Sequence, residues 1–527
     1  MSKIITPGLV SGGGVTRRGL MQGAAAGALL LGSGIRPARA QGEPKRGGTL
    51  RVGKGHGQTS DTHDPGKWEN GYTIAWGFAV YNRLTEVDTD GSLIPELAES
   101  WEASEGADVW TFKLRQANFH DGTPVKASDV VASVNHHRGE ESQSAAKPLV
   151  EAITDVEALD DSTVRFTLKA GNADFPFIVS DYHLPVGKAG EDGKVDWTKA
   201  MGSGSYVVEN FEPGVRSDFR RWDGNWRTDR GWFDRVELLS IIDPVARQNA
   251  LMTGAVDAID RVDIKTVELL KRNPNIVIHS INGGQHFTFP MRCNEPPFDD
   301  ANVRNAIKFA VKRQELVDKV LAGYGEVGND NPINPMMPFY HSELPQREYD
   351  PEKSKWYLKQ AGLDSLDVTL FSAETAFAGA VDAAQLIAAS AGPAGINVRV
   401  ERAANDGYWS NIWNVKPWSA SYWGGRPVPD QMFSTSYECK APWNESAWCN
   451  ERFDELLVAA RAELDEEKRR AMYWEMQELV HEDGGALLPM FAAYVSAMST
   501  KIGHGDMAAN WEMDGERWAE RWWFETA

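Results

Sequence analysis

Apolar residues recur at two different spacings along this chain, and the alternation between them restricts the fold more than any other feature. Trp110, Phe112 and Leu114 alternate with polar residues, as do Val164, Phe166 and Leu168, and a period of two predicts strands with one buried face. Residues 48–53 read as a short first strand, and 126–137 as a helix carrying Val130, Val131 and Val134. Further on the period becomes helical. Val303, Ala306, Ile307 and Ala310 share a stripe that continues through Val317, Val320 and Leu321, with Asp299 or Asp300 as N-cap. Phe453, Leu456, Leu457 and Ala460 make a second stripe, and Met472, Tyr473, Met476, Leu479 and Val480 a third. Interleaved strands and helices predict α/β lobes and exclude all-α and all-β folds. A length of 527 residues allows three or four domains or lobes, each with its own core. Gly/Pro punctuation near 202–214, 283–297 and 332–338 marks candidate crossings between them.

The first 40 residues read as an export signal. They hold Lys3, Arg17, Arg18, Arg36 and Arg39 and no acid, around an Ala/Gly/Leu run from Gly23 to Leu31 that is too short to span a bilayer of about 30 Å. Thr16-Arg17-Arg18-Gly19-Leu20-Met21 resembles the twin-arginine export motif, and Ala38-Arg39-Ala40 is a small-x-small cleavage site. An amphipathic organelle-targeting segment is the alternative, and the paired arginines just before the apolar run favour export. Gln41, where a lipoprotein would have Cys, predicts a soluble periplasmic protein, and no later stretch is long and apolar enough to be membrane-embedded.

Lysine and arginine number 55 against 75 acids, a net charge of −20 that becomes −25 once the five leader cations are removed. Such a balance argues against nucleic acid or anionic lipid as partner. Three cysteines rule out a disulfide-dense scaffold. Cys439 and Cys449 bracket a loop-like segment with Pro442, Trp443, Asn444 and Ser446 that a disulfide could close, worth roughly 2–3 kcal/mol. Cys293 reads as a buried free thiol. Twenty Trp, against 13 Tyr and 20 Phe, suggest that some indoles line a recognition surface as well as a core.

No reaction centre emerges. Gly202-Ser203-Gly204-Ser205-Tyr206 has its serines out of register for a nucleophile elbow, and Gly53-Lys54-Gly55-His56-Gly57 lacks the spacing of a phosphate loop. His136 and His137 read as solvated side chains, no metal-ligand spacing occurs, and acidic pairs such as Asp160-Asp161 are expected by chance among 75 carboxylates.

Specific strings carry more. Leu93-Ile94-Pro95-Glu96-Leu97-Ala98-Glu99-Ser100-Trp101, Trp110-Thr111-Phe112-Lys113-Leu114-Arg115 and Phe119-His120-Asp121-Gly122-Thr123-Pro124-Val125 resemble the signature of the bacterial extracellular solute-binding proteins of the dipeptide/oligopeptide class, family 5. The resemblance continues in Gly204-Ser205-Tyr206, in Pro297-Phe298-Asp299-Asp300 and in Tyr349-Asp350-Pro351-Glu352-Lys353. Read on residues alone, His120 to Pro124 is a turn, and Arg304 and Arg313 form a solvated or salt-bridged face of one long helix.

The resemblance implies an α/β, periplasmic binding protein-like fold (class II, cluster C): two lobes, an extra inserted domain and a hinged interlobe cleft. It implies a leader at 1–40, a first domain in segments 45–90, 201–287 and 501–527, a second at 91–200 and a third at 288–500. Such a protein is no enzyme and needs no cofactor or metal. It acts as a monomer, closes on a peptide or peptide-like solute and delivers it to the permease and ATPase subunits of an ABC importer. Other solutes on the same fold, such as an opine, polyamine, metal chelate or sugar derivative, are the alternative, and a secreted α/β hydrolase is a weaker one.

In peptide-binding relatives the loop matching Tyr422 to Asp430 carries an Asp that pairs with the peptide ammonium. Alignment on Pro429-Asp430 puts that position at Gly425, which has no carboxylate, with Arg426 beside it. A guanidinium there favours an anionic group on the ligand, with Tyr422 and Trp423 against its body. The competing reading, of equal weight, pairs Arg426 with Asp430 to stiffen the loop. Asp430, Trp409, and Tyr72 and Trp76 after His63-Asp64-Pro65, complete the expected lining, although Trp409 and Trp413 also have the spacing of core residues on one helix face.

Overall fold

The computed structural model describes residues 43–525; the predicted leader lies outside them. A nine-stranded mixed sheet runs through both lobes. Its strands are β1 (Thr49–Lys54), β2 (Tyr206–Glu212), β3 (Arg216–Arg221), β4 (Arg235–Ser240), β5 (Ala258–Ile259), β6 (Ile276–Pro290), β7 (Gly325–Val327), β8 (Ser421–Trp423) and β9 (Ala486–Ser499). The order is β8-β6-β9-β5-β1-β4-β3-β2, with β7 added to β9. β1 is parallel to β4 and β5, and the long β6 and β9 are antiparallel.

β6 and β9 are the chain's crossings between lobes. Ile276 to Asn282 pair with Ser499 to Ala493 in the first lobe, where β9 also meets β5; His286 to Pro290 pair with Phe491 to Ala486 in the second, where β7 and β8 join. Between the two halves the register shifts, leaving Gly283, Gly284 and Gln285 outside the ladder. A bulge with two glycines gives the connection a natural bending point.

The first lobe has two large cores and a smaller cluster around Leu251, Ile259, Val267 and Leu270. Leu50, Val52, Trp68, Trp76, Tyr206, Phe219 and Trp522 fill one, over the large sheet. Trp110, Phe112, Val164, Phe166 and Phe175 fill the other, under a four-stranded antiparallel sheet whose two central strands are those read by their period of two. The helix read at 126–137 is Ala127–Asn135, with Lys126 at its N-cap and Asp129 accepting the Lys126 amide at 2.8 Å. In the second lobe Phe289, Val303, Ile307, Leu370, Ile387 and Trp418 form the main core, and Met432, Phe433, Phe453, Tyr473 and Met476 a satellite.

Two expectations are corrected. The long helix through 303–321 is two helices, Ala301–Phe309 and Arg313–Val320. Arg313 ends the first by donating to the Lys308 carbonyl at 3.0 Å, which a continuing helix would give to Lys312, and its other arm pairs with Asp330 at 2.6 Å. Arg304 and Arg313 are salt-bridged, as one arm of the expectation has it, and both are buried, Arg304 donating to the Phe298 carbonyl at 2.8 Å and to Asp483 at 2.7 Å. His137 is also buried, its Nδ1 2.6 Å from Ser144 Oγ, and His136 pairs with Asp64 at 2.6 Å.

His286, on β6 beside the bulge, is fully buried with Nδ1 2.8 Å from the Gly284 carbonyl, and burial holds it down to about 4. Its folded pKa lies below the unfolded value near 6.5, so its contribution is intact above that pH and is lost as pH falls toward 4. Wild-type stability in urea is expected to drop between pH 7.5 and pH 5, with a share of about 2 kcal/mol from this group that His286→Asn removes from the pH dependence.

Candidate functional site: the interlobe hinge and the edge strand

β8 is a three-residue edge strand on β6, with Trp423 opposite His286, Tyr422 opposite Phe287 and Ser421 opposite Thr288. Alternation sends Tyr422 and Trp423 to opposite faces. Trp423 is buried, its ring 6.0 Å from that of Trp443, and its indole N–H donates to Glu445 Oε1 at 3.0 Å. Tyr422 is 45% exposed and meets the 40% exposed Trp409 ring at 5.7 Å; Trp409 in turn lies 5.8 Å from Trp413.

Trp413 reaches round the edge and donates to Glu445 Oε2 at 2.7 Å, and Thr288 Oγ1 donates to Oε1 at 2.7 Å. Glu445 thus fixes two indoles on opposite sides of one strand. Its burial pushes the carboxyl above the usual range, against the pull of these hydrogen bonds. It sits in the loop closed by the Cys439–Cys449 disulfide, together with the exposed Trp443. Cys293 is partly exposed, and burial raises its thiol to about 11.

After β8 the chain turns through Gly424, Gly425 and Arg426. Gly425 lies flat on Gly284 of the bulge; a Cβ on Gly284 would stand 2.4 Å from the Gly425 Cα. This backbone approach holds Arg426 over the hinge. Its guanidinium donates to the carbonyl of Gly425 at 3.1 Å, and no carboxylate among the described residues lies within 4.0 Å of it. Burial draws its pKa down, opposed by Tyr182 and Asp181 of the first lobe and by Tyr494 of β9. Tyr494 also lines a neighbouring cavity of about 280 Å³ with Gln285, Asp260, Arg261 and Glu512.

His56, Asp260 and Glu512 bring ligand atoms within 4.8 Å of one another. Lys54 fills the place a cation would take, its Nζ 3.0 Å from Asp260, 2.6 Å from Glu516 and 3.9 Å from Glu512. The chain's own ammonium makes this an ion-pair scaffold.

Four of the residues expected at the ligand stand elsewhere. Tyr72 and Trp76 lie on helix Gly71–Val80, apolar on nearly every side and therefore buried all round. The Tyr72 hydroxyl is 2.8 Å from Ser217 Oγ, and Trp76 stacks on His63 at 4.8 Å. Asp430 is buried and accepts from Arg461 at 2.9 Å, which removes both its expected ligand role and the reading in which it pairs with Arg426. Trp423, too, faces Glu445 and not an open cleft. Tyr422, Trp409, Gly425 and Arg426 remain together, and Tyr182, Tyr494 and Glu445 join them. Only Glu445 had a sequence signal, a lone acid between Trp443 and Trp448 inside the bracketed loop.

The profile of the bacterial extracellular solute-binding proteins, family 5 (Middle), matches residues 92–444. The chain belongs to this family of solute-binding proteins. As a family 5 member it is a transport binding protein and not an enzyme, with a small-molecule solute and an ABC permease as partners. It is 28% identical over 452 residues to the dipeptide-binding protein of Escherichia coli, covering 78% of this chain and 83% of that protein. It is 27% identical over 444 residues to heme-binding protein A of Haemophilus influenzae, covering 76% and 80% respectively. Among solved structures, the unliganded open form of the murein tripeptide-binding protein MppA superposes with a TM-score of 0.81 at 18% identity, over 92% of this chain and 99% of that one. Among the described residues no helix is long and apolar enough to cross a membrane.

Gly284→Ala in this family 5 protein places a methyl against the Gly425 backbone and is expected to cost about 1–3 kcal/mol in urea unfolding. Gly424→Ala, whose Cβ meets only Arg426 Nη1 at 3.9 Å, is the control and is expected to stay within about 0.5 kcal/mol of wild type.

Proposed function

We propose that this protein captures a peptide-like solute bearing an anionic group, by closing two lobes around it, and delivers it to an ABC permease. The observation that carries the reading is Arg426: a half-buried guanidinium at the meeting of both lobes and the hinge, held by a main-chain carbonyl and without a carboxylate partner among the described residues. A carboxylate, phosphate or sulfonate would complete its hydrogen bonding with the planar fork that Arg offers. Tyr422 and Trp409 supply an exposed aromatic corner for the body of the solute. The protein works in the periplasm as a monomer, exported through the twin-arginine signal, with the discontinuous first domain and inserted second domain described above.

A second reading is a non-peptide solute, an opine-like carboxylate. It is favoured by Gly425, where the carboxylate that peptide-binding relatives aim at an ammonium is missing.

Native mass spectrometry of the purified protein identifies the co-purified solute, and tryptophan fluorescence then measures its affinity. Arg426→Ala is expected to weaken binding by about 10- to 100-fold, the worth of a charged hydrogen-bonded pair, with Arg426→Lys recovering part. Unchanged affinity in Arg426→Ala would refute the anion reading.

A further inference from the structure

The satellite core of the second lobe is built on α1 (Pro429–Ser436), α2 (Glu451–Ala462) and α3 (Glu466–Asp483). Where α2 ends and α3 begins, residues 172–174 of the first lobe reach across to them. Asp174 occupies the N-cap position of the short helix Phe175–Ile178, yet its carboxylate makes no capping bond. It takes Arg469 Nη2 of α3 instead, at 2.5 Å, and both side chains are buried. One residue earlier, the Ala173 amide donates to the Arg461 carbonyl at 2.7 Å. That carbonyl lies in the last turn of α2, where the helix leaves its acceptors open. The first lobe therefore caps a helix of the second.

This contact is continuous with the solute loop. Arg461 donates from Nε to Asp430 at 2.9 Å, and Asp430 stands in the first turn of α1, four residues after Arg426. Arg469 is fixed from below, its Nε donating to the Ala460 carbonyl at 2.9 Å and its guanidinium lying over Phe339 at 5.2 Å. On the opposite side the Asn172 carbonyl takes the indole N–H of Trp110 at 3.1 Å, and Phe175 is buried in the same core, so residues 172–174 move with the first lobe.

We propose that Asp174, Arg469 and Arg461 are positioning residues for solute capture: a latch, separate from the solute pocket, that ties the two lobes together in the arrangement described and is joined to the Arg426 loop through Asp430. A ligand shifts an open–closed equilibrium only by its extra contacts in the closed state. The latch adds a ligand-independent term to that equilibrium, and so sets how much of the solute's binding energy closure consumes. It rests on the two-lobe closure of the family and not on what Arg426 binds.

The Ala173 amide reports the latch directly, because its acceptor belongs to the other lobe. Hydrogen exchange on the full-length, solute-free protein is compared with Asp174→Asn, Arg469→Gln and Asp430→Asn. Asparagine is itself a good N-cap, so the first variant keeps its helix while losing the ion pair. Exchange at Ala173 is expected to rise about tenfold or more in Asp174→Asn and Arg469→Gln, with the Val164 and Phe166 amides of the first-lobe sheet unchanged. Should Asp174→Asn fail to fold, Arg469→Gln reads the same contact from the second lobe. Unchanged exchange at Ala173, or equal acceleration at Val164 and Phe166, overturns the latch. Asp430→Asn, which alters only the second lobe, is expected to speed Ala173 exchange severalfold; wild-type exchange there removes the link to the solute loop. Arg426→Ala leaves solute-free Ala173 exchange at the wild-type rate, so failure of the anion reading and failure of the latch are seen in different measurements.

Discussion

The antiparallel pairing of β6 with β9 is the constraint on which the rest of the structure depends. These strands belong to both lobes at once, so the two halves share one hydrogen-bond ladder instead of being strung on a flexible linker. A ladder resists shear and resists separation of its strands, but where its register slips at Gly283 and Gly284 it can bend. Everything of functional interest is arranged around that slip: the turn at Gly425 rests on it, Arg426 is held over it, and Tyr494 stands across from it.

The electrostatic layout follows from this placement. Many interior ions are matched, as with Lys54 among Asp260 and Glu516, or Glu86 between Arg227 and Arg521. Pairs of this kind tie distant segments together, the C-terminal residues to strands near the beginning of the chain, and leave little spare charge. Arg83 and Arg426 are held by main-chain carbonyls instead. Arg83 is fully buried, whereas Arg426 is half-buried beside the hinge, where a solute's anionic group could reach it.

The two periodicities revealed the lobes and their strands, and ordered motifs revealed the family. What they could not reveal was which side chains point into the cleft. Tyr72 and Trp76 follow a loop of the right kind, but a helix apolar on all sides buries its aromatics whatever precedes it. Tyr422 and Trp423 are neighbours in sequence and strangers in space, because strand alternation separates them. The helix break after Phe309 rests on the guanidinium of Arg313 folding back onto a carbonyl, and its partner Asp330 is seventeen residues away. Asp430 follows Arg426 in one loop, and the sequence offers it the ligand or Arg426; its partner Arg461, thirty-one residues on, is legible only once α1 and α2 pack. The limit throughout is long-range pairing, to which local pattern is blind.

The disulfide-closed loop has a redox consequence as well as a spatial one. Glu445 holds Trp413 and Trp423 from within a ring that exists only when Cys439 and Cys449 are joined. With the thiols reduced the covalent ring is open, and Glu445 is held by hydrogen bonds alone. The orientation of Trp413 and Trp423 is thus linked, through Glu445, to the oxidation state of the chain.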